Sequence, residues 1–317
     1  MSDSPTREPD LFADNPSEAE DYGQAVVDAE ALAALKTRSD VKGLTQFGLH
    51  ILFIVCTGVL VSTAMGRWWL PLAMLIHGVG LVYLFAGMHE TIHRTAFKSR
   101  WLNDTVAWLT GLVVCLPPEG FRSFHFAHHR YTQIPGKDPE LDVKQPDSLA
   151  GYLWYVSGIS YWIRAFQGIF KAALGNVTAP YIAERVKPLV VREARIFGLI
   201  YLIALGAAFA GYSESLLYWF LPMVMAQPFW RGWLLAEHSG CTNDDDIYAN
   251  TRTTYTNPLL RFLLWQMPYH VAHHAYPGIP FFALQDADAL IRGRAGAKSP
   301  GYLSFHRQWI SRIRTAR

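Results

Sequence analysis

Residues 44–65 read LTQFGLHILFIVCTGVLVSTAM, and residues 68–88 read WWLPLAMLIHGVGLVYLFAGM; neither run holds a Lys, Arg, Asp or Glu. They are 22 and 21 residues long, and a helix needs about 20 apolar residues to cross a ~30 Å hydrocarbon core. Only Gly66 and Arg67 separate them, which suits a tight helical hairpin. A third uncharged run covers residues 196–212, and a fourth covers 215–235, interrupted near its end by Arg231. A turn around Tyr212–Glu214 joins these two into a second hairpin. Four crossings are therefore expected, at about 44–65, 68–88, 196–212 and 215–235. Trp68, Trp69, Tyr201, Tyr212, Tyr218 and Trp219 lie near the run ends, where aromatic side chains anchor at the membrane–water interface.

The whole chain agrees with that reading. Of its 317 residues 51% are hydrophobic and 17% charged, where a soluble domain carries ~25% charged residues. Disorder, a collagenous repeat and a nucleic-acid coat are excluded on this count. Length alone suggests two domains; the distribution makes them a membrane anchor and a cap forming one functional unit. The net charge of +2 conceals an asymmetry, because residues 1–30 hold nine acids against Arg7 alone. With Pro5, Pro9 and Pro16 among its acids, the leader (residues 1–43) reads as largely disordered and cytoplasmic. It has no basic segment followed by an apolar stretch, so it does not read as a secretory signal. From Leu290 onward there are seven Lys/Arg and no acid, so residues 286–317 read as a basic cytoplasmic tail. Cys56, Cys115 and Cys241 are scattered and form neither a disulfide framework nor a CxxC site.

Basic residues set the orientation. The outer turns carry only Arg67, while Lys36–Lys42, Arg94–Arg100, Arg122–Lys144 and Arg185–Arg195 fall on the other side with the tail. The positive-inside rule puts both termini in the cytoplasm. Val106–Leu116 is too short to span, and Arg164 interrupts Tyr152–Phe170; both read as interfacial or re-entrant segments.

Nine of the twelve His fall in four places, all on the predicted cytoplasmic side. His89 and His93 frame HETIH; His125, His128 and His129 form HFAHH; His238 stands alone; His270, His273 and His274 form HVAHH. Residues i, i+3 and i+4 share a helical face, so each box turns its imidazoles the same way. Neutral imidazole suits Fe, Cu, Ni and Zn. Nine donors exceed the three or four that one zinc takes, and two metal ions with four or five nitrogens each account for them. His50 and His77 lie inside crossings and read as packing or hydrogen-bonding residues; His77 is about 18 Å up the helix from His89. His306 reads as a surface residue. Ligating His usually donates its second ring N–H to a carboxylate or carbonyl, and Glu90, Asp138 and Glu237 are the candidates for that role, with Glu140 and Asp142 nearby. HETIH also fits the HExxH of a zinc membrane metallopeptidase, with Glu90 as general base; that reading leaves both HxxHH triplets unused.

The strings HETIHRTAF, FHFAHHRYTQ and MPYHVAHHAYP, together with AEHSGC, resemble the integral-membrane fatty acid desaturase superfamily, and its bacterial desaturase-type members most. That superfamily also holds carotenoid ketolases and hydroxylases and alkane monooxygenases. The resemblance covers roughly residues 44–285. It implies an all-α membrane protein with four transmembrane helices in two hairpins and a cytoplasmic helical His-rich cap. It further implies two non-haem irons held by His89, His93, His125, His128, His129, His238, His270, His273 and His274. With O2 as co-substrate, such a centre abstracts hydrogen from an unactivated C–H bond. A second abstraction leaves a double bond in a fatty acyl chain, while oxygen rebound gives the alcohol of a lipid, alkane or carotenoid hydroxylase or the route to a ketolase. Phe121, Phe124, Tyr131, Trp265, Tyr269, Phe281 and Phe282 are candidates to line the substrate channel. The sequence holds no HPGG haem segment, rubredoxin-like four-Cys knot or dinucleotide fingerprint. Electrons are therefore expected from a separate ferredoxin, cytochrome or rubredoxin-type partner, docked on the basic cytoplasmic face. The lack of a fused cytochrome points to a bacterial inner membrane.

Overall fold

A computed structural model of the chain describes residues 21–23 and 27–315. The disorder expected of residues 1–20 and 24–26 lies outside the described residues. The rest of the leader departs from the expectation. Asp28 caps helix α1 (Ala29–Leu35), its carboxylate accepting from the N–H groups of Glu30 and Ala31. Lys36 pairs with Asp21 at 2.8 Å, and the Gly23 N–H donates to Ala275 O at 2.9 Å. A capped helix and a backbone bond to the third His box tie this stretch down despite its acidic composition.

The first hairpin forms from α2 (Asp40–Ala64) and α3 (Leu70–Ile92), and both are long and apolar enough to cross a bilayer. Gly66, at φ +71°, makes the turn, a conformation that costs glycine nothing. Helix α2 starts four residues before the expected 44, because Ser39 caps it by accepting from the Lys42 N–H. Its Leu52, Val55 and Val59 are exposed. Helix α3 is instead buried almost throughout its second half and runs on past Met88 to take in the first His box. Gly78 lets it approach closely: a Cβ there would fall on the carbonyl of Pro222.

Around α3 lie α4 (Arg100–Val113) and α5 (Pro118–Tyr131). The segment read as interfacial, Val106–Leu116, belongs mainly to α4. Asn103, Val106, Ala107, Thr110 and Gly111 face inward, the stripe of an amphipathic helix, while Trp101 and Leu109 remain exposed. The second such segment divides at Gly158 (φ +71°) into α6 (Leu149–Val156) and α7 (Ile159–Ala173).

The segments expected to form a second hairpin are less regular than that reading. Helix α8 (Lys187–Phe209) begins nine residues before 196. The stretch expected as one crossing, 215–235, is three pieces: a π-helical turn (Leu216–Phe220), α9 (Leu221–Met225) and α10 (Gln227–His238). Pro222 and Pro228 sit at the first turns of α9 and α10. Each lacks an N–H and crowds the preceding turn, which breaks the run.

The C-terminal third carries α11 (Pro258–Leu263), α12 (His270–Ala275), α13 (Leu284–Ile291) and α14 (Tyr302–Thr315). Strands β1 (Arg252–Thr254) and β2 (Ala297–Ser299) pair in parallel, with Thr253 opposite Lys298, a small exception to the all-α expectation. The basic tail is thus anchored. Its last helix packs Phe305, Trp309 and Ile313 against Leu235 and Ala236 of α10. His306, read as a surface residue, is half-buried beside Gly232, and its Nδ1 lies 3.2 Å from the Tyr152 hydroxyl.

Candidate metal centre

Four helices bring the nine box histidines together. The end of α3 supplies His89 and His93, α5 supplies His125, His128 and His129, the end of α10 supplies His238, and α12 supplies His270, His273 and His274. All nine are buried. They divide into two sets. One ring nitrogen from each of His89, His93, His125, His129 and His273 lies within 4.8 Å of all the others. His128, His238 and His274 form a second group by the same measure. His270 joins that second group, its Nε2 facing His238 Nε2 at 3.1 Å.

Helical spacing explains the division. In HFAHH the i, i+4 pair His125 and His129 serves the first set, and the intermediate His128 turns to the second. In HVAHH the order reverses: His270 and His274 share the second set while His273 enters the first. Each triplet therefore contributes to both sets.

Ring orientation is fixed on one side only. His128 Nδ1–H donates to Asp138 Oδ1 at 3.0 Å, and His238 Nδ1–H donates to the backbone carbonyl of Asn250 at 3.2 Å. Thr132 Oγ1 donates to His128 O at 2.8 Å, so its oxygen accepts from His274 Nδ1–H at 3.1 Å. Glu237 Oε1 lies 3.3 Å from His270 Nδ1, within reach but off hydrogen-bond alignment. All four members of the second set thus have an acceptor next to Nδ1 and turn Nε2 inward. In the first set, Nδ1 of His89, His93, His129 and His273 meets no partner among the described residues.

The inward nitrogens face one another: His125 and His129 Nε2 are 2.9 Å apart, and His128 and His238 Nε2 are 3.3 Å apart. Burial holds His93, His125, His129, His270, His273 and His274 well below their ordinary pKa, so these imidazoles are neutral. His128 is the exception. Burial opposes its charge, but Glu140, with Oε2 at 3.1 Å from His128 Nε2, and Asp138 outweigh that and raise its pKa to about 9. Converging lone pairs and buried, unpartnered nitrogens are costly, about 1–3 kcal/mol per unsatisfied group. A metal cation in their midst removes that cost, and imidazole is a donor that first-row transition metals accept. The donor set fits a metal site.

Among the expected acids, Asp138 and Glu237 stand beside His128 and His270, whereas Glu90 does not serve a histidine. Glu90 Oε1 accepts from Thr95 Oγ1 at 2.5 Å and from the Phe281 N–H at 3.0 Å, closing the end of α3 onto the segment after α12. Asn250 and Thr132 escaped the sequence reading. Thr132 lies one turn after His128, a usable signal, but Asn250 sits in a long loop with no local pattern. His50 and His77 behave as read: His50 Nε2 bonds to Gly80 O at 3.0 Å, and its Nδ1 accepts from Trp265 Nε1 at 3.1 Å. His77 lies between Thr57 Oγ1 at 2.9 Å and Tyr218 O at 3.0 Å.

His89, His125, His128, His238 and His270 are among the residues lining a cavity of about 590 Å³. Its walls are largely apolar, with Phe85, Phe121, Phe124, Ile169 and Val190. Phe121 and Phe124 were expected there. Tyr131, Trp265, Tyr269, Phe281 and Phe282 do not line it; Trp265, for one, packs on Phe281 and bonds to His50.

The family model for fatty acid desaturases matches residues 66–306. The chain belongs to the fatty acid desaturase family. The match begins after α2 and reaches into the basic tail, as the packing of α14 on α10 would require. The desaturase is 27% identical to the dihydrorhizobitoxine desaturase of Bradyrhizobium elkanii over 81% of this chain and 76% of that one. It is 21% identical to the sn-1 oleoyl-lipid 12-desaturase of Anabaena variabilis over 70% of this chain and 55% of that one. It is 26% identical to the human sphingolipid delta(4)-desaturase/C4-monooxygenase over 77% and 71%. This desaturase is an oxidoreductase with a buried His cluster suited to metal. The metallopeptidase reading falls with that membership.

Proposed function

We propose that the nine box histidines hold two irons. One would be held by His89, His93, His125, His129 and His273, the other by His128, His238, His270 and His274. The convergence of nine buried imidazoles in two sets is the observation that carries this reading. When bound, the irons supply the O2-dependent hydrogen abstraction that no side chain can perform.

The protein's part is to place the substrate and exclude water. An acyl chain entering the largely apolar cavity would pass Phe121 and Phe124 and lie against the histidines that line it. Asp138, Thr132 and the Asn250 carbonyl hold three rings with Nε2 directed inward, so that no reorientation is needed at the moment of reaction.

We infer a membrane enzyme with four crossings, α2, α3, the apolar part of α8 and the broken run from Leu216 through α10, with the helical cap and both termini cytoplasmic. Two observations support it: α2 and α3 meet the length and apolarity of a span, and Leu199, Leu202, Ile203 and Phe209 of α8 are exposed, an outward apolar face that suits lipid. In domain terms, residues 1–43 form the cytoplasmic leader, 44–285 the desaturase unit and 286–317 the tail. Electrons come from a separate ferredoxin, cytochrome or rubredoxin-type donor, and a bacterial inner membrane is the setting.

Lipid and carotenoid profiling of a defined bacterial host expressing the chain tests the reaction. New acyl double bonds that vanish on His129→Ala support desaturation. Hydroxylation is the second reading, because one relative's name joins desaturase with C4-monooxygenase; a hydroxylated product with unchanged unsaturation would establish it instead.

A further inference from the structure

Arg231 is a charge inside the cavity wall that nothing in the metal centre uses. It lies on α10, seven residues before His238, so both project from one face about 10.5 Å apart along the axis. Its side chain is 8% exposed, and it lines the cavity with Tyr155, Tyr161 and Arg164. The guanidinium lies 4.6 Å from the Tyr155 ring centroid and 5.7 Å from that of Tyr161. Its buried Nε has no hydrogen-bond partner among the described residues. Glu140, a carboxylate within the field of Arg231, is engaged by His128 at 3.1 Å. Arg164, from α7 on the same wall, adds a second positive charge. Buried guanidinium groups are rarely left without an acceptor, because the lost hydration is costly. Cation–π contact offsets only part of that cost.

We propose that Arg231 anchors an oxyanion carried by the substrate, a carboxylate or phosphate at the head of the apolar chain. A planar fork of N–H donors matches such groups bidentately. An anchor two helical turns from His238 sets which carbon of the chain reaches the metal centre, so the position of reaction is counted from the anionic end. The proposal rests on the acyl reading above and sharpens its substrate class.

Equilibrium binding to the iron-loaded full chain in micelles, under nitrogen to prevent turnover, tests it. The probes are radiolabelled palmitate, methyl palmitate, phosphatidic acid and phosphatidylcholine. Palmitate binding about 10- to 100-fold tighter than its ester, with the difference lost in Arg231→Gln and partly kept in Arg231→Lys, identifies a carboxylate. Phosphatidic acid preferred over phosphatidylcholine, with the same loss, identifies a phosphate head. Arg164→Gln, at an exposed position, is expected to weaken the anionic probe several-fold and serves if Arg231→Gln does not fold. Equal binding of acid and ester, with phosphatidic acid equal to phosphatidylcholine, would overturn the proposal, as would an Arg231→Gln loss common to all four probes. Failure of every acyl probe to bind would instead strike the acyl reading itself.

Discussion

His128 and Asp138 form a buried imidazole–carboxylate pair, with Nδ1–H donating to Oδ1 at 3.0 Å. Asp138 also accepts from the backbone N–H of Gln133 at 2.7 Å and of Glu140 at 2.9 Å, so the carboxylate is fixed before it orients the ring. Asp138→Asn keeps the shape but removes the charge. Metal affinity of the set containing His128, His238, His270 and His274 is expected to fall about 10- to 100-fold, with the five-His set unchanged. Anaerobic Co(II) titration, read from the two phases of the ligand-field spectrum, checks this.

The same pair predicts a proton count. In the metal-free chain the raised pKa of His128, about 9, keeps it charged at neutral pH. Metal entry must displace that proton, whereas His93, His125, His129 and His273 are already neutral. Affinity of the His128 set therefore rises about tenfold per pH unit up to about 9, and the five-His set is nearly flat above neutral pH. The sign for stability is opposite: charged His128 stabilises the metal-free fold below its ordinary pKa, and that contribution is lost as pH rises through about 9. Calorimetric titration in buffers of different ionisation enthalpy measures the released proton.

Glu90 lies in the first box but acts as a clamp between Thr95 and the Phe281 N–H. Glu90→Ala is expected to destabilise the fold by about 1–3 kcal/mol while leaving metal content intact. Thermal unfolding together with metal analysis separates this from a general-base role, for which activity would vanish at unchanged stability.

Close packing of α3 on α9 rests on Gly78, where a Cβ would meet the Pro222 carbonyl. Gly78→Ala should cost about 1–3 kcal/mol through overpacking. Gly206→Ala, with nothing near its added methyl, should be neutral or stabilising by up to ~1 kcal/mol. Melting temperatures of both variants in the same detergent decide the matter.

Much of this centre was legible in the sequence because local helical spacing carries it. The boxes imposed a shared face on His125 and His129, and nine donors implied two ions. What spacing could not state was the exchange by which His128 and His273 each leave their own box for the opposite set; that depends on how α5 and α12 cross. Asn250 reaches His238 through a loop with no periodicity, and Glu90 was misplaced because sequence adjacency to a ligand says nothing of where a carboxylate turns. The first hairpin was legible from its uncharged length. The fourth run was not, since apolarity continued through Pro222 and Pro228 while the backbone did not. Composition misled in the tail as well: its described Lys and Arg side chains are exposed, and Phe305, Trp309 and Ile313 at helical spacing bind it to α10.

The central claim is a pair of irons in two histidine sets, and the most direct test is metal analysis with Mössbauer spectroscopy of protein purified anaerobically from iron-57-fed cells. The account predicts about two iron atoms per chain in two distinguishable environments, with His273→Ala depleting one signal and His238→Ala the other. One zinc per chain, or a single iron environment untouched by either variant, would contradict it.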